Sequence, residues 1–154
     1  MRIALVVAEY HDFVTRRLES GAREALGEAG LDERDVETFR VPGAYELAQA
    51  AERLASTGAW SAVVCLGCLI RGETAHFEYI ALAAAHGITR AAQQTGVPVT
   101  FGVLTTETAD EALARAGEGS TNKGREAAMA ALDMARLYER LGHGRGQDPQ
   151  AGTP

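Results

Sequence analysis

Short runs of aliphatic and β-branched residues, each followed by a longer amphipathic stretch, constrain this chain more than any other feature. Ile3–Ala8, Val36–Val41, Ala62–Leu66 and Val97–Leu104 are the apolar runs, each bounded by turn residues, and they read as strands. Val14, Leu18, Ala22, Ala25, Leu26 and Ala29 recur at helical spacing, with Asp12 as N-cap and Gly30 as stop. Pro42-Gly43 precedes a helix over 44–56, closed by Thr57-Gly58. Thr74 caps a helix running to Gln94, with Gly96 as its stop, and Thr108 starts a short helix ending at Gly117. The last helix spans 122–141. The order is therefore βαβαβαβαα. Strict alternation predicts an α/β three-layer sandwich: a four-stranded parallel sheet with helices on both faces. Ligands of such sheets bind at the carboxyl ends of the strands. The segments to inspect are thus Glu9–Asp12, Pro42–Glu46, Gly67–His76 and Thr105–Thr108.

The 154 residues suit one domain, placed here over 1–142. Residues 143–154 are rich in Gly, Pro and Gln without periodicity and read as a disordered tail. A net charge of −6 with no basic cluster argues against nucleic acid as partner. It leaves room for a small anion, because a few local cations outweigh a distant net charge. The two cysteines are too few for a disulfide framework. The apolar start meets Glu9 too soon for a signal peptide, and no run of ~18 apolar residues would span a membrane. These features predict a cytoplasmic protein.

Gly67-Cys68-Leu69-Ile70-Arg71-Gly72-Glu73-Thr74 has the frame of a phosphate loop, with Glu73 where the lysine that reaches the outer phosphates would stand. A carboxylate there repels a triphosphate. Glycines and the N–H groups of a helix start still suit a monophosphate, with Arg71 or another cation beside it. On this segment alone, an anion site and a plain glycine-rich cap are equally consistent. His76, at the start of the same helix, is placed to exchange a proton with such a ligand. Cys65 and Cys68 form a C-x-x-C, but an odd separation along a strand points them to opposite faces, against redox chemistry. The four histidines are scattered, so no metal site is expected. Tyr10-His11 and Gly43-Ala44-Tyr45-Glu46 lie on strand-end loops facing one crevice. They offer flat aromatic surface and a carboxylate acceptor, suited to a planar, hydroxylated ligand. Phe101, Arg115 and Lys123 taken singly read as core or helix-end charge.

Together these motifs resemble the 6,7-dimethyl-8-ribityllumazine synthase family of riboflavin biosynthesis. The resemblance runs from Arg2 to Leu141. Its carriers are 41–46, 66–77, 101–106, 115–117 and 122–124. It implies a flavodoxin-like fold and condensation of 5-amino-6-(D-ribitylamino)uracil with 3,4-dihydroxy-2-butanone 4-phosphate, with no cofactor and no metal. By resemblance, Gly72, Glu73 and Thr74 hold the phosphate, Arg115 of a neighbouring subunit neutralises it, and His76 transfers protons. Tyr10 stacks on the pyrimidine, Ala44 and Glu46 hold the ribityl chain, and Leu69 and Ile70 bind the uracil edge. Phe101 and Lys123 of the neighbour close the pocket. The substrate-binding set also takes His11, Gly43, Tyr45 and Cys68. The implied assembly is a homopentamer, a unit the family also stacks as decamers or closes as sixty-subunit shells. The family commonly has Phe-Asn where this chain has Tyr10-His11, which bears on substrate affinity. Many members carry a strand ahead of the first one here, so that inter-subunit contact is expected to be absent. Other readings are a non-catalytic homologue that binds flavin or lumazine or forms a shell, with no need for a proton relay; a lumazine dismutase, which takes no phosphorylated substrate; and a plain phosphate-binding regulator, which leaves Gly43–Glu46 unexplained.

Overall fold

The computed structural model describes residues 1–72 and 76–142. Glu73, Thr74 and the tail 143–154 lie outside the described residues. Among the described residues, four strands, β1 (Ile3–Ala8), β2 (Val36–Val41), β3 (Ala62–Ile70) and β4 (Val99–Thr106), form one sheet in the order β2-β1-β3-β4. All its pairs are parallel. Five α-helices among the described residues join and flank them: α1 (Asp12–Glu28), α2 (Leu47–Ser56), α3 (Phe77–Thr95), α4 (Ala109–Ala114) and α5 (Lys123–Gly142). Short 3₁₀ turns occupy Glu33–Asp35, Ala44–Glu46 and Gly119–Thr121.

The period-two alternation of the strands divides the interior into two cores. Ile3, Leu5 and Val7 face one side and join Val14, Leu18 and Leu26 of α1 and Ala128, Ala131 and Leu132 of α5. Ala4, Val6 and Ala8 face the other and join Leu47, Ala51 and Ala55 of α2 and Ile88 of α3. The expected three-layer α/β arrangement is the one found. Across the first layer, Arg125 of α5 pairs with Glu28 of α1, and the guanidinium holds the Glu28 carboxyl below the usual carboxylate range.

Some boundaries differ from the sequence reading. β1 and β2 have the expected limits, but β3 runs on to Ile70 rather than stopping at Leu66. The extension is paired with β4, from Gly67 opposite Val103 to Ile70 opposite Thr106. Gly67 is therefore a strand residue, not the first glycine of a loop, and a Cβ there would meet Leu47 Cδ1 at 3.0 Å. β4 starts at Val99 and ends at Thr106 instead of spanning 97–104, shifted by that same register. The cap of α1 is His11 rather than Asp12. Its carbonyl accepts from the N–H groups of Val14 (2.9 Å) and Thr15 (3.0 Å). α3 begins at Phe77 with His76 as cap, and α4 ends at Ala114, short of Gly117. Thr108 caps α4 as expected, its hydroxyl accepting from the Glu111 N–H at 3.2 Å. Gly96 ends α3 in the left-handed conformation, φ 71°.

Candidate active site

From β1 the chain crosses to β2 on one side and later to β3 on the other, so a crevice opens between the carboxyl ends of these strands. It has a volume of about 270 Å³. Tyr10 and His11 line it from the end of β1, and Gly43, Ala44, Tyr45 and Glu46 from the end of β2. Leu69 and Ile70 form its floor from β3, while Phe77 and Ile80 enter from α3. Two backbone bonds prolong the β1–β2 ladder into this region: the Glu9 N–H donates to the Val41 carbonyl (2.8 Å) and the Tyr10 N–H to that of Pro42 (3.0 Å). They fix Tyr10 beside the Gly43 turn. Tyr10 is 55% exposed, so its ring can present a face to a ligand. It stands 4.4 Å from the His11 ring, which in turn meets Phe13 edge-on at 5.8 Å. His11 is left-handed at φ 60°, the non-glycine residue with positive φ among those described.

Arg71 stands at the end of β3, its N–H donating to the Thr106 carbonyl at 2.8 Å. Its guanidinium is engaged on two sides, with Glu78 of α3 at 3.2 Å and Glu107 beyond β4 at 3.1 Å. It also lies over the Phe77 ring at 5.2 Å. The cation nearest the loop is thus already balanced by carboxylates. Gly72 follows in a turn at φ 89°, a conformation that suits glycine alone. The expected contributions of Glu73 and Thr74 lie outside the described residues. His76 sits one residue before Phe77, exposed at the head of α3.

The other expected residues lie apart from the crevice. Cys68 is buried in the core on the α1/α5 side, and Cys65 in the core on the α2/α3 side. Their opposite directions keep the C-x-x-C from closing, and burial pushes the Cys65 thiol up to about 12. Phe101 packs against the α2/α3 core from the edge strand β4. Arg115 and Lys123 are carried by the α4–α5 connection, beside Ala112 and Ala116 of the α1/α5 core, and neither lines the crevice. They meet through the Lys123 N–H and the Arg115 carbonyl, 2.9 Å apart. Lys123 pairs with Glu126 at 3.2 Å. Phe77 and Ile80 are the crevice residues that sequence reasoning missed. Their spacing of three on the first turn of α3 was the signal, but two apolar residues at helical spacing look like core.

A family model described as 6,7-dimethyl-8-ribityllumazine synthase matches residues 1–139. The chain belongs to that family. Among lumazine synthase relatives, the 6,7-dimethyl-8-ribityllumazine synthase of Syntrophus aciditrophicus (strain SB) is 44% identical over 141 residues, 92% of each chain. The stretch matched to the lumazine synthase model takes in the crevice, the α3 head and the Arg115–Lys123 connection alike.

Proposed function

We propose that this chain condenses 5-amino-6-(D-ribitylamino)uracil with 3,4-dihydroxy-2-butanone 4-phosphate to 6,7-dimethyl-8-ribityllumazine, at a crevice completed by a neighbouring protomer. Family membership makes it an enzyme, a transferase of riboflavin biosynthesis. The observation that carries the shared site is one of charge. A phosphate ester arrives with negative charge, yet among the described residues no Arg or Lys lines the crevice. Arg71 is held by Glu78 and Glu107. Arg115 is exposed and makes no ion pair among the described residues, and it does not line its own crevice. A second copy of the chain supplies it.

In this reading the pyrimidine stacks on Tyr10 and its ribityl hydroxyls bond to Glu46 and the Gly43–Tyr45 backbone. The 5-amino nitrogen attacks the butanone carbonyl, water leaves, and an imine forms. The C–O bond to phosphate then breaks, the phosphate departing toward Gly72 and the partner guanidinium of Arg115. The second nitrogen closes the ring with loss of another water. His76 carries protons between these steps, a role typically worth ~10²–10⁴-fold. Both reactants are reactive by themselves, so the larger share comes from holding them in register, worth ~7–11 kcal/mol when geometry is good. The assembly that places each Arg115 at the next crevice is a closed ring, a homopentamer, and the setting is the cytoplasm.

The test combines both substrates and follows lumazine fluorescence. The wild-type protein should give it. Arg115→Ala should raise KM for the phosphorylated substrate by about 10–150-fold, the loss of one charge-assisted contact at ~1.5–3 kcal/mol. KM for the pyrimidine should hold steady. Equal rises in both, or no fluorescent product from the wild-type protein, would contradict the proposal.

A further inference from the structure

We infer that Asn122 is a positioning residue: its buried amide folds the 115–123 connection against α1, so that Arg115 and Lys123 leave the protein from one fixed place. The inference rests on the phosphate role proposed for those two cations. Asn122 is 3% exposed, one of few polar side chains buried among the described residues. Its Nδ2 group donates twice, to the Gly117 carbonyl at 2.9 Å and to the Arg17 carbonyl of α1 at 3.1 Å. Both amide hydrogens are thereby used. Its Oδ1 accepts from the Arg125 N–H at 3.0 Å, which caps α5. The Asn122 N–H donates to the Gly119 carbonyl at 3.2 Å. One side chain therefore holds the turn, the start of α5 and the middle of α1 together.

The surroundings are shaped for this side chain. Gly21 of α1 faces it without a Cβ, and one added there would lie 2.7 Å from Asn122 Nδ2, nearer still to the rest of the amide. The connection then closes on itself through the Lys123 N–H and the Arg115 carbonyl. A cap alone needs none of this. Serine or aspartate would accept from Arg125 equally well, and neither requires a partner carbonyl on α1. The two Nδ2 bonds fix where the turn stands, and the two cations flank that turn. A guanidinium that must reach a phosphate in a neighbouring protomer depends on that placement, because misplacement by about 1 Å can lower rates up to ~10²-fold.

Asn122→Ser keeps the cap and removes the tether. In protein shown by circular dichroism and light scattering to be folded and assembled, we expect KM for the butanone phosphate to rise about tenfold. KM for ribitylaminouracil should be unchanged. Gly21→Ala, which crowds the amide from the α1 side without altering Asn122, should give the same split. In an Arg115→Ala background, Asn122→Ser should add much less than it does alone, since it acts through that residue. Equal rises in both KM values, no rise in either, or full additivity with Arg115→Ala would overturn the inference. If Arg115→Ala raises the phosphate KM and Asn122→Ser does not, this inference alone fails. If Arg115→Ala leaves that KM unchanged, the phosphate role of Arg115 fails and takes the inference with it.

Discussion

Gly124→Ala should destabilise the protein although alanine is the better helix former. Gly124 stands in the first turn of α5, where that preference favours alanine by about 1 kcal/mol. A Cβ there would run into the backbone of α1: 2.6 Å from the Leu18 carbonyl carbon, 2.8 Å from its Cα, and closer still to its oxygen. Backbone cannot rotate aside as a side chain can. The helices must separate, loosening the layer in which Val14, Leu18 and Leu26 meet Ala128, Ala131 and Leu132. Overpacking of this kind costs typically ~1–3 kcal/mol, and an unyielding obstacle belongs at the upper end. After the helix preference is subtracted, about 2 kcal/mol remains. For a domain of this size that lowers Tm by roughly 4–8 °C. The assay is thermal unfolding by circular dichroism at one protein concentration, since the proposed assembly would shift Tm by mass action. Gly27→Ala is the control: it lies in α1 with nothing within 4 Å of the added carbon, so Tm should rise slightly. If Gly124→Ala matched the wild-type Tm or exceeded it, the close approach of α1 and α5 would be refuted.

Tyr10→Ala should weaken binding of the pyrimidine about 2–12-fold through loss of a stacking face worth ~0.5–1.5 kcal/mol, while Tyr10→Phe leaves it unchanged; isothermal titration checks both. Cys65 should resist iodoacetamide in the native protein at pH 8 and react after unfolding, as read by mass spectrometry, because burial raises its thiol from the ordinary 9.0 to about 12. Between those values the unfolded chain loses this proton while the folded chain keeps it. Stability attributable to Cys65 therefore falls as pH rises above 9.0. A Cys65→Ser variant should show a shallower decline in alkali.

The strands were legible because burial on both faces leaves unbroken aliphatic runs, as in β1. The end of β3 was not, since Gly67 looks like a turn when only the sequence is read. Its role depends on β4 lying alongside and on Leu47 overhead, neither of which is local. The α1 cap was misplaced by one residue because Asp12 is a favourable cap by type, whereas His11 caps through its carbonyl in a left-handed conformation. The crevice residues after β1 and β2 could be found from topology, because strand ends on one edge of a parallel sheet must converge. Phe77 and Ile80 could not be told from core. Arg115 and Lys123 carry no local mark of a site. Their absence from the lining of their own crevice is visible only in the folded chain.

Mixing two disabled variants tests the proposed sharing of the crevice between protomers most directly. Arg115→Ala and His76→Ala protomers, assayed at a butanone phosphate concentration below the wild-type KM where each alone is weakly active, would be dissociated, combined in equal amounts and reassembled. If each site takes His76 from one protomer and Arg115 from the next, about a quarter of the interfaces in a random ring carry both residues intact, and lumazine fluorescence returns in that proportion. If both residues served the same protomer's crevice, no mixed assembly would contain an intact site, and activity would stay at the level of the separate variants.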